Sequence, residues 1–158
     1  MKIVHIGTQY RNEVNKILKD EWSCPPCISK GKVIDTTMLS GFVSLSAGNK
    51  INGVVTYYIE NEECEIVTLN SFDENKGIGT ALINAVYRLA QNNGCKRLWL
   101  ITTNDDIEAI RFYQRKGFEW CATHMNAMDI SRKLKPSIPL IGNYNIPIKH
   151  EIEFEINL

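Results

Sequence analysis

Residues Phe72–Ala90 read FDENKGIGTALINAVYRLA. Two glycines, Gly77 and Gly79, stand one residue apart where a helix begins. Glycine adds backbone freedom that a helix start does not need. A function for bare backbone does explain it. The first amides of a helix have no partner within the helix, and the helix dipole adds partial positive charge there. A strand, a glycine loop and a helix in that order can therefore cradle a phosphate. A flexible turn ahead of a helix is the simpler alternative, and G-x-G alone does not separate the two. A Walker A loop, G-x-x-x-x-G-K-[ST], is absent. A dinucleotide fingerprint needs a third glycine where the chain has Leu82.

The elements around this loop follow from periodicity. KIVHI at residues 2–6 reads as a strand. TQYRNEVNKILKDEW reads as an amphipathic helix, with Val14, Ile17, Leu18 and Trp22 at helical spacing. Residues 23–40 carry two prolines and a glycine and read as a loop. Residues 41–72 read as three strands, with tight turns at 47–50 and 61–62. The helix from Gly79 to Asn92 turns Leu82, Ala85, Val86 and Leu89 to one face and ends at Asn93-Gly94. KRLWLITT is a buried strand. Asp105 and Glu108 are spaced as a capping box for a helix from Asp106 to Lys116. FEWCATH is the next strand. EIEFEINL alternates strictly, with Ile152, Phe154, Ile156 and Leu158 on one side and Glu151, Glu153 and Glu155 on the other. This predicts a strand with one wet face. The order β-α-β-β-β-α-β-α-β predicts an α/β fold, a mixed sheet with helices on both faces.

The chain's 158 residues suit one domain, 1–158. Eighteen basic residues balance eighteen acidic ones, which argues against a nucleic-acid partner. The N-terminus lacks the apolar core of a secretory signal, and no apolar run approaches the roughly 20 residues that span a bilayer. Five cysteines, an odd number, fit a reducing compartment. The expectation is a cytoplasmic protein without a membrane partner. Cys24 and Cys27 form a C-x-x-C, but it follows a helix rather than opening one, and no further ligands are spaced for zinc. No metal is expected.

Taken together, ENKGIGTALI and CKRLWLITTNDDIEAIRFYQRKGF resemble the GCN5-related N-acetyltransferase (GNAT) superfamily. The family's acyl-CoA loop, Q/R-x-x-G-x-G/A, corresponds to Glu74, Asn75, Lys76, Gly77, Ile78 and Gly79. A second family motif corresponds to Asn104, Ala109, Tyr113, Gly117 and Phe118. Glu74 stands where Gln or Arg is usual, with Lys76 beside it as a positive charge. Residues 124–150 form an insertion before the last strand, similar to the K-P-x-I-P-L-I-G tail of a branch of small bacterial-type acetyltransferases.

The resemblance implies a mostly antiparallel sheet splayed where acyl-CoA binds, with acetyl-CoA as acyl donor and a small primary amine as acceptor. It places the pantetheine arm along Thr68, Leu69, Asn70 and Ser71, as an added strand. It places the pyrophosphate on the amides from Lys76 to Thr80. A backbone N–H near Leu69 or Asn70 would polarise the thioester carbonyl. Tyr113 would hydrogen-bond the departing thiolate. Its phenol, with a pKa near ~10, is too weak an acid to protonate a thiolate of a thiol near ~8.5 outright. An alkyl ammonium must lose a proton before attack. Glu65 is the first candidate base and Glu63 the second, each open to a plain reading as a solvated strand position. Asn104 would fix pantetheine amides or cap a helix. Ala109 and Phe112 would pack along the cofactor. Asp129 and Arg132 are spaced as an i,i+3 ion pair. A homodimer is the family's habit. Two other classes remain open: an acyl-CoA-binding sensor without turnover, and a nucleotide-binding protein using the same loop.

Overall fold

The computed structural model describes residues 1–158. Four helices accompany seven strands hydrogen-bonded in one sheet, together with a separate two-stranded hairpin. The strands are β1 (Lys2–His5), β2 (Cys27–Ser29), β3 (Lys32–Ile34), β4 (Ser40–Leu45), β5 (Ile51–Glu60), β6 (Glu63–Ser71), β7 (Arg97–Thr103), β8 (Glu119–His124) and β9 (Glu151–Asn157). The helices are α1 (Gly7–Trp22), α2 (Ile78–Asn92), α3 (Ile107–Arg115) and α4 (Ala127–Leu134). The large sheet runs β1-β4-β5-β6-β7-β9-β8 and is mostly antiparallel. By internal contact the chain forms two compact units, one of residues 1–25, 35–98 and 157–158, the other of residues 26–34 and 99–156.

The first unit is built on β4, β5 and β6, which bury Val43, Leu45, Val54, Val55 and Ile66 and are covered on both faces along much of their length. Helix α2 adds Ile78, Leu82, Val86 and Ala90 at helical spacing, all buried. Its N-terminal turn rests on β5 at Gly53. A Cβ there would lie 2.5 Å from Ile78 Cγ2 and 3.0 Å from Leu82 Cδ1. The missing side chain lets the helix start lie close to the sheet. Helix α1 buries Val14 and Leu18, and Trp22 at its end donates from Nε1 to Asn70 Oδ1 at 2.6 Å.

The second unit centres on Phe154 of β9, with Tyr113 and Trp120 ringed around it at centroid distances of 6.2 and 5.8 Å. The insertion is ordered by its own contacts. Arg132 of α4 donates to the Pro139 and Ile148 carbonyls and pairs with Asp129 at 3.8 Å. Asp105 Oδ2 accepts the Asn143 N–H at 3.0 Å. Ile141 and Pro147 form an isolated antiparallel bridge.

Three expectations are corrected. Residues 23–40 are not a plain loop, since β2 and β3 form a hairpin about Lys30 and Gly31, both at positive φ. The left-handed conformation at Lys30 costs about 1–2 kcal/mol, and docking of the Lys30 side chain and N–H within this unit offsets it. The cap of α3 is Asp106, not Asp105. Asp106 accepts the Ala109 N–H at 3.2 Å, while Asp105 is turned to Thr103 and the insertion. Finally, β9 has no wet face at its start. Glu151 and Glu153 are 1% and 5% exposed, because the turn of the β2–β3 hairpin packs on that face, with Lys30 bonded to both carboxylates.

The Gly53 contact makes a prediction. Gly53→Ala forces a methyl into packed side chains and should destabilise the protein by roughly 1–3 kcal/mol. Urea unfolding would show a lower midpoint with an unchanged slope.

Candidate active site

The glycine loop lies in the first unit. Asn75 and Gly77 adopt positive φ, 60° and 74°. Gly77 is the N-cap of α2, and a left-handed glycine there carries no side chain to bond the helix start. The usual capping residues would place an oxygen over those amides. Here the first-turn N–H groups of Ile78, Gly79 and Thr80 lie beyond the reach of the helix's own carbonyls. A Cβ on Gly77 would meet nothing within 4 Å, so the space over the turn is open. Glu74, Asn75, Lys76 and Gly77 are exposed, while Ile78 is buried and anchors the turn from beneath. An anion would find both hydrogen-bond donors and the positive end of the helix here.

The strand that feeds the loop is β6. Its pairing with β5 slips after Thr68: Thr56 faces Thr68, but Tyr57 faces Ile66, so Val67 is an extra residue. Such a bulge bends a strand and re-aims the side chains on either side. Nothing in EIVTL announces it. Beyond the bulge Thr68 is buried, its hydroxyl 2.6 Å from that of Thr56. Leu69 and Asn70 are half-buried and Ser71 is exposed. Before the bulge, Glu65 is 5% exposed and sits opposite Tyr58, so it is not on a solvated face. Glu63 is committed to Arg97 Nε at 2.8 Å.

The second unit carries Asn104, Ala109, Phe112 and Tyr113. Tyr113 is buried, with Phe112 and Phe118 edge-on at 5.2 and 5.5 Å. This fixes its ring. Burial pushes the phenol well above its ordinary pKa, and the Asp106 charge adds to the effect. Asp106 is itself pushed up, chiefly by burial, with Asp105 and Glu108 adding and the Ala109 N–H opposing. A phenol so raised donates a hydrogen bond and keeps its proton. Sequence reading missed Asp106 as its electrostatic neighbour. The helical spacing of Asp106 and Tyr113, two turns apart, was the available signal.

Asn104 neither caps a helix nor leaves its amide unused. Its Nδ2 donates to the Pro147 carbonyl at 2.9 Å, and its Oδ1 accepts the Lys149 and His150 N–H groups at 2.8 and 2.9 Å. It ties the insertion to the end of β7. The five cysteines are thiols, and burial pushes Cys64 up to about 12. No group of three His, Cys, Asp or Glu side chains is arranged to hold a metal ion, and no helix is long and apolar enough to cross a membrane. A cavity of about 600 Å³ lies at the other end of α2, lined by Leu39, Tyr57, Leu89 and Asn93 among others. That is about 20 Å along the helix from Gly77, so the cavity is separate from the glycine loop.

Comparison with known proteins identifies the family. Residues 11–118 match the acetyltransferase (GNAT) family. The chain is 37% identical over 152 residues to YxbD of Bacillus subtilis (strain 168), covering 96% of each chain. It is 41% identical over 133 residues to YdhI of the same organism, covering 84% of this chain and 83% of that one. Among solved structures, a GNAT family acetyltransferase from Elizabethkingia anophelis with acetyl-CoA bound is 25% identical, with a TM-score of 0.67 over 77% of this chain and 78% of that one. The open glycine-capped helix start and the buried tyrosine are thus features of a chain that belongs to the GNAT family of acetyltransferases.

Proposed function

We propose that this protein transfers an acetyl group from acetyl-CoA to the primary amine of a small acceptor by direct attack. The observation that carries the reading is the helix start at Gly77, open to an anion and capped by no side chain. Lys76 and the amides through Thr80 take the pyrophosphate. The pantetheine arm runs along Thr68–Ser71, and a backbone N–H near Leu69 or Asn70 polarises the thioester carbonyl. The amine attacks the carbonyl carbon, the C–S bond breaks, and the electron pair leaves on sulfur. Tyr113 donates a hydrogen bond to that thiolate; the amine's proton passes to a base. Glu65 is that base, directly or through water, with Glu63 the second candidate. Asn104 serves the fold of the insertion, and Ala109 and Phe112 position Tyr113. Cytoplasmic location and a homodimer belong to the same reading; light scattering that finds only monomer at low concentration would remove the dimer. A sensor that holds acetyl-CoA without turnover is the second reading, favoured by Glu74 at the loop's first position.

Three variants test the roles. Glu65→Gln should lower kcat about 100-fold or more, with little change in the KM for acetyl-CoA and with loss of the acidic limb of the pH–rate profile. An unchanged profile would take Glu65 out of the mechanism.

Tyr113→Phe should lower kcat about 10- to 100-fold, the kinetic equivalent of one hydrogen bond to a charged group. Acetyl-CoA affinity should change little. Full activity would leave Tyr113 a packing residue.

Gly79→Val sits within helical backbone and should leave the fold intact, yet weaken acetyl-CoA binding through crowding at the helix start. Calorimetric titration with acetyl-CoA would show it, and normal affinity would mean the loop holds no phosphate. Wild-type protein that binds acetyl-CoA but releases no thiol across an amine library would favour the sensor.

A further inference from the structure

Two threonine hydroxyls in the first unit form a pair to which the reaction described above gives no part. Thr56 of β5 and Thr68 of β6 are 0% and 1% exposed, and their Oγ1 atoms lie 2.6 Å apart. Two hydroxyls carry two protons, and the single hydrogen bond between them uses one. Neither hydroxyl has another hydrogen-bond partner within the protein. One buried O–H is therefore left without an acceptor, and a buried donor left unpaired is costly.

The strand register shows which group lies next to that donor. Residues directly opposite in an antiparallel pair share a face, and so do residues two apart on one strand. Thr68 is opposite Thr56, and Glu65 is opposite Tyr58. Thr56 and Tyr58 are two apart on β5, so Thr68 and Glu65 share one face of the sheet. In a regular strand residues 65 and 68, three apart, would point opposite ways. The extra residue at Val67 removes that difference. The bulge thus makes a buried carboxylate, 5% exposed, and the hydroxyl pair successive positions on one face. Thr68 and Glu65 make no direct hydrogen bond with each other. Successive positions on one face of a strand are about 7 Å apart, a spacing that one water between the two side chains can bridge. Thr68 also stands between Glu65 and the Leu69–Asn70 backbone, where the thioester carbonyl is proposed to lie.

We propose that Thr68, held by Thr56, is the positioning residue for a water through which Glu65 takes the proton of the attacking amine. The Thr56 hydroxyl donates to Thr68 Oγ1, and the Thr68 hydroxyl donates to the water oxygen. The water donates to the Glu65 carboxylate. As the amine attacks, its N–H bond breaks and the proton passes to the water oxygen, while the N–H electron pair stays on nitrogen. One O–H bond of the water breaks in turn, its proton passes to Glu65, and the water is regenerated. The Thr68 proton is not transferred; its hydrogen bond fixes where the water stands. The assignment rests on the acetyl-transfer reading and on Glu65 as its base.

The test is steady-state thiol release by the full chain from acetyl-CoA, using whichever member of a primary-amine library is turned over fastest. Thr68→Val keeps the side-chain shape and removes the hydroxyl. It should lower kcat about tenfold or more, with the KM for acetyl-CoA little changed. Thr68→Ser restores the hydroxyl and should keep kcat within about threefold of wild type, and Thr56→Val should lower it less than Thr68→Val does. In a Glu65→Gln background Thr68→Val should cause no further loss, because the water it holds then leads to no base. A residue that only packs would cost the same factor in both backgrounds. Equal losses in the two backgrounds would overturn the proposal, as would full activity of a folded Thr68→Val variant. Should Thr68→Val fail to fold by circular dichroism, Thr56→Val in the same two backgrounds decides. Wild-type protein that releases no thiol with any amine would sink acetyl transfer and the Thr68 role together. Active wild type with Thr68 and Glu65 losses that simply multiply would sink the Thr68 role alone.

Discussion

Helix α2 can begin where it does because β5 has no side chain at Gly53. Ile78 and Leu82 occupy the space a Cβ would need, so the first turn of the helix is held against the sheet at the end of β6. That contact fixes the position of the open amides. Gly77 keeps them open by capping the helix with backbone alone. An anion-binding helix start needs both conditions. It must be anchored from below, or donor positions are lost to fraying. It must also be bare above, or a Ser or Asp oxygen takes the donors first. The bulge at Val67 acts on the same stretch of chain from the other direction, bending β6 between the buried Glu65 and the half-buried Leu69 and Asn70.

The second unit shows a different economy of polar groups. Asn104 and Asp105, at the end of β7, hold the insertion through four backbone N–H and carbonyl groups. This places a long segment of little regular structure against the unit without a large apolar core of its own. Tyr113 is treated in the opposite way, held by aromatic edges and left in surroundings that keep its proton on. Among these groups Glu151 stands apart, because its buried Oε1 has no hydrogen-bond partner within the protein.

Periodicity and turn chemistry made most of the elements legible. The three-strand meander, α2 with its Asn93-Gly94 end, and α3 with its stop at Gly117 follow from apolar spacing, capping residues and glycine positions. The glycine pair at Gly77 and Gly79, paired with the Tyr113 motif, pointed to the GNAT family. The β2–β3 hairpin was not found, because three-residue strands carry too few residues to show alternation and the prolines before them read as loop. The α3 cap was placed one residue early because Asp105 and Asp106 are both good caps by type. Which one serves depends on the insertion, whose Asn143 N–H takes Asp105.

By itself the sequence determined the loop-and-helix geometry, since φ preferences and helix ends are local properties carried by a few adjacent residues. Tertiary structure alone decided the fate of the alternating acids of EIEFEINL. Period-two alternation shows that two sets of side chains point opposite ways, and it is silent on what covers each set. Only the docking of Lys30 and the turn of a distant hairpin bury Glu151 and Glu153. Burial is a property of neighbours brought together from far along the chain, so it converts residues that read as solvated into buried, hydrogen-bonded carboxylates.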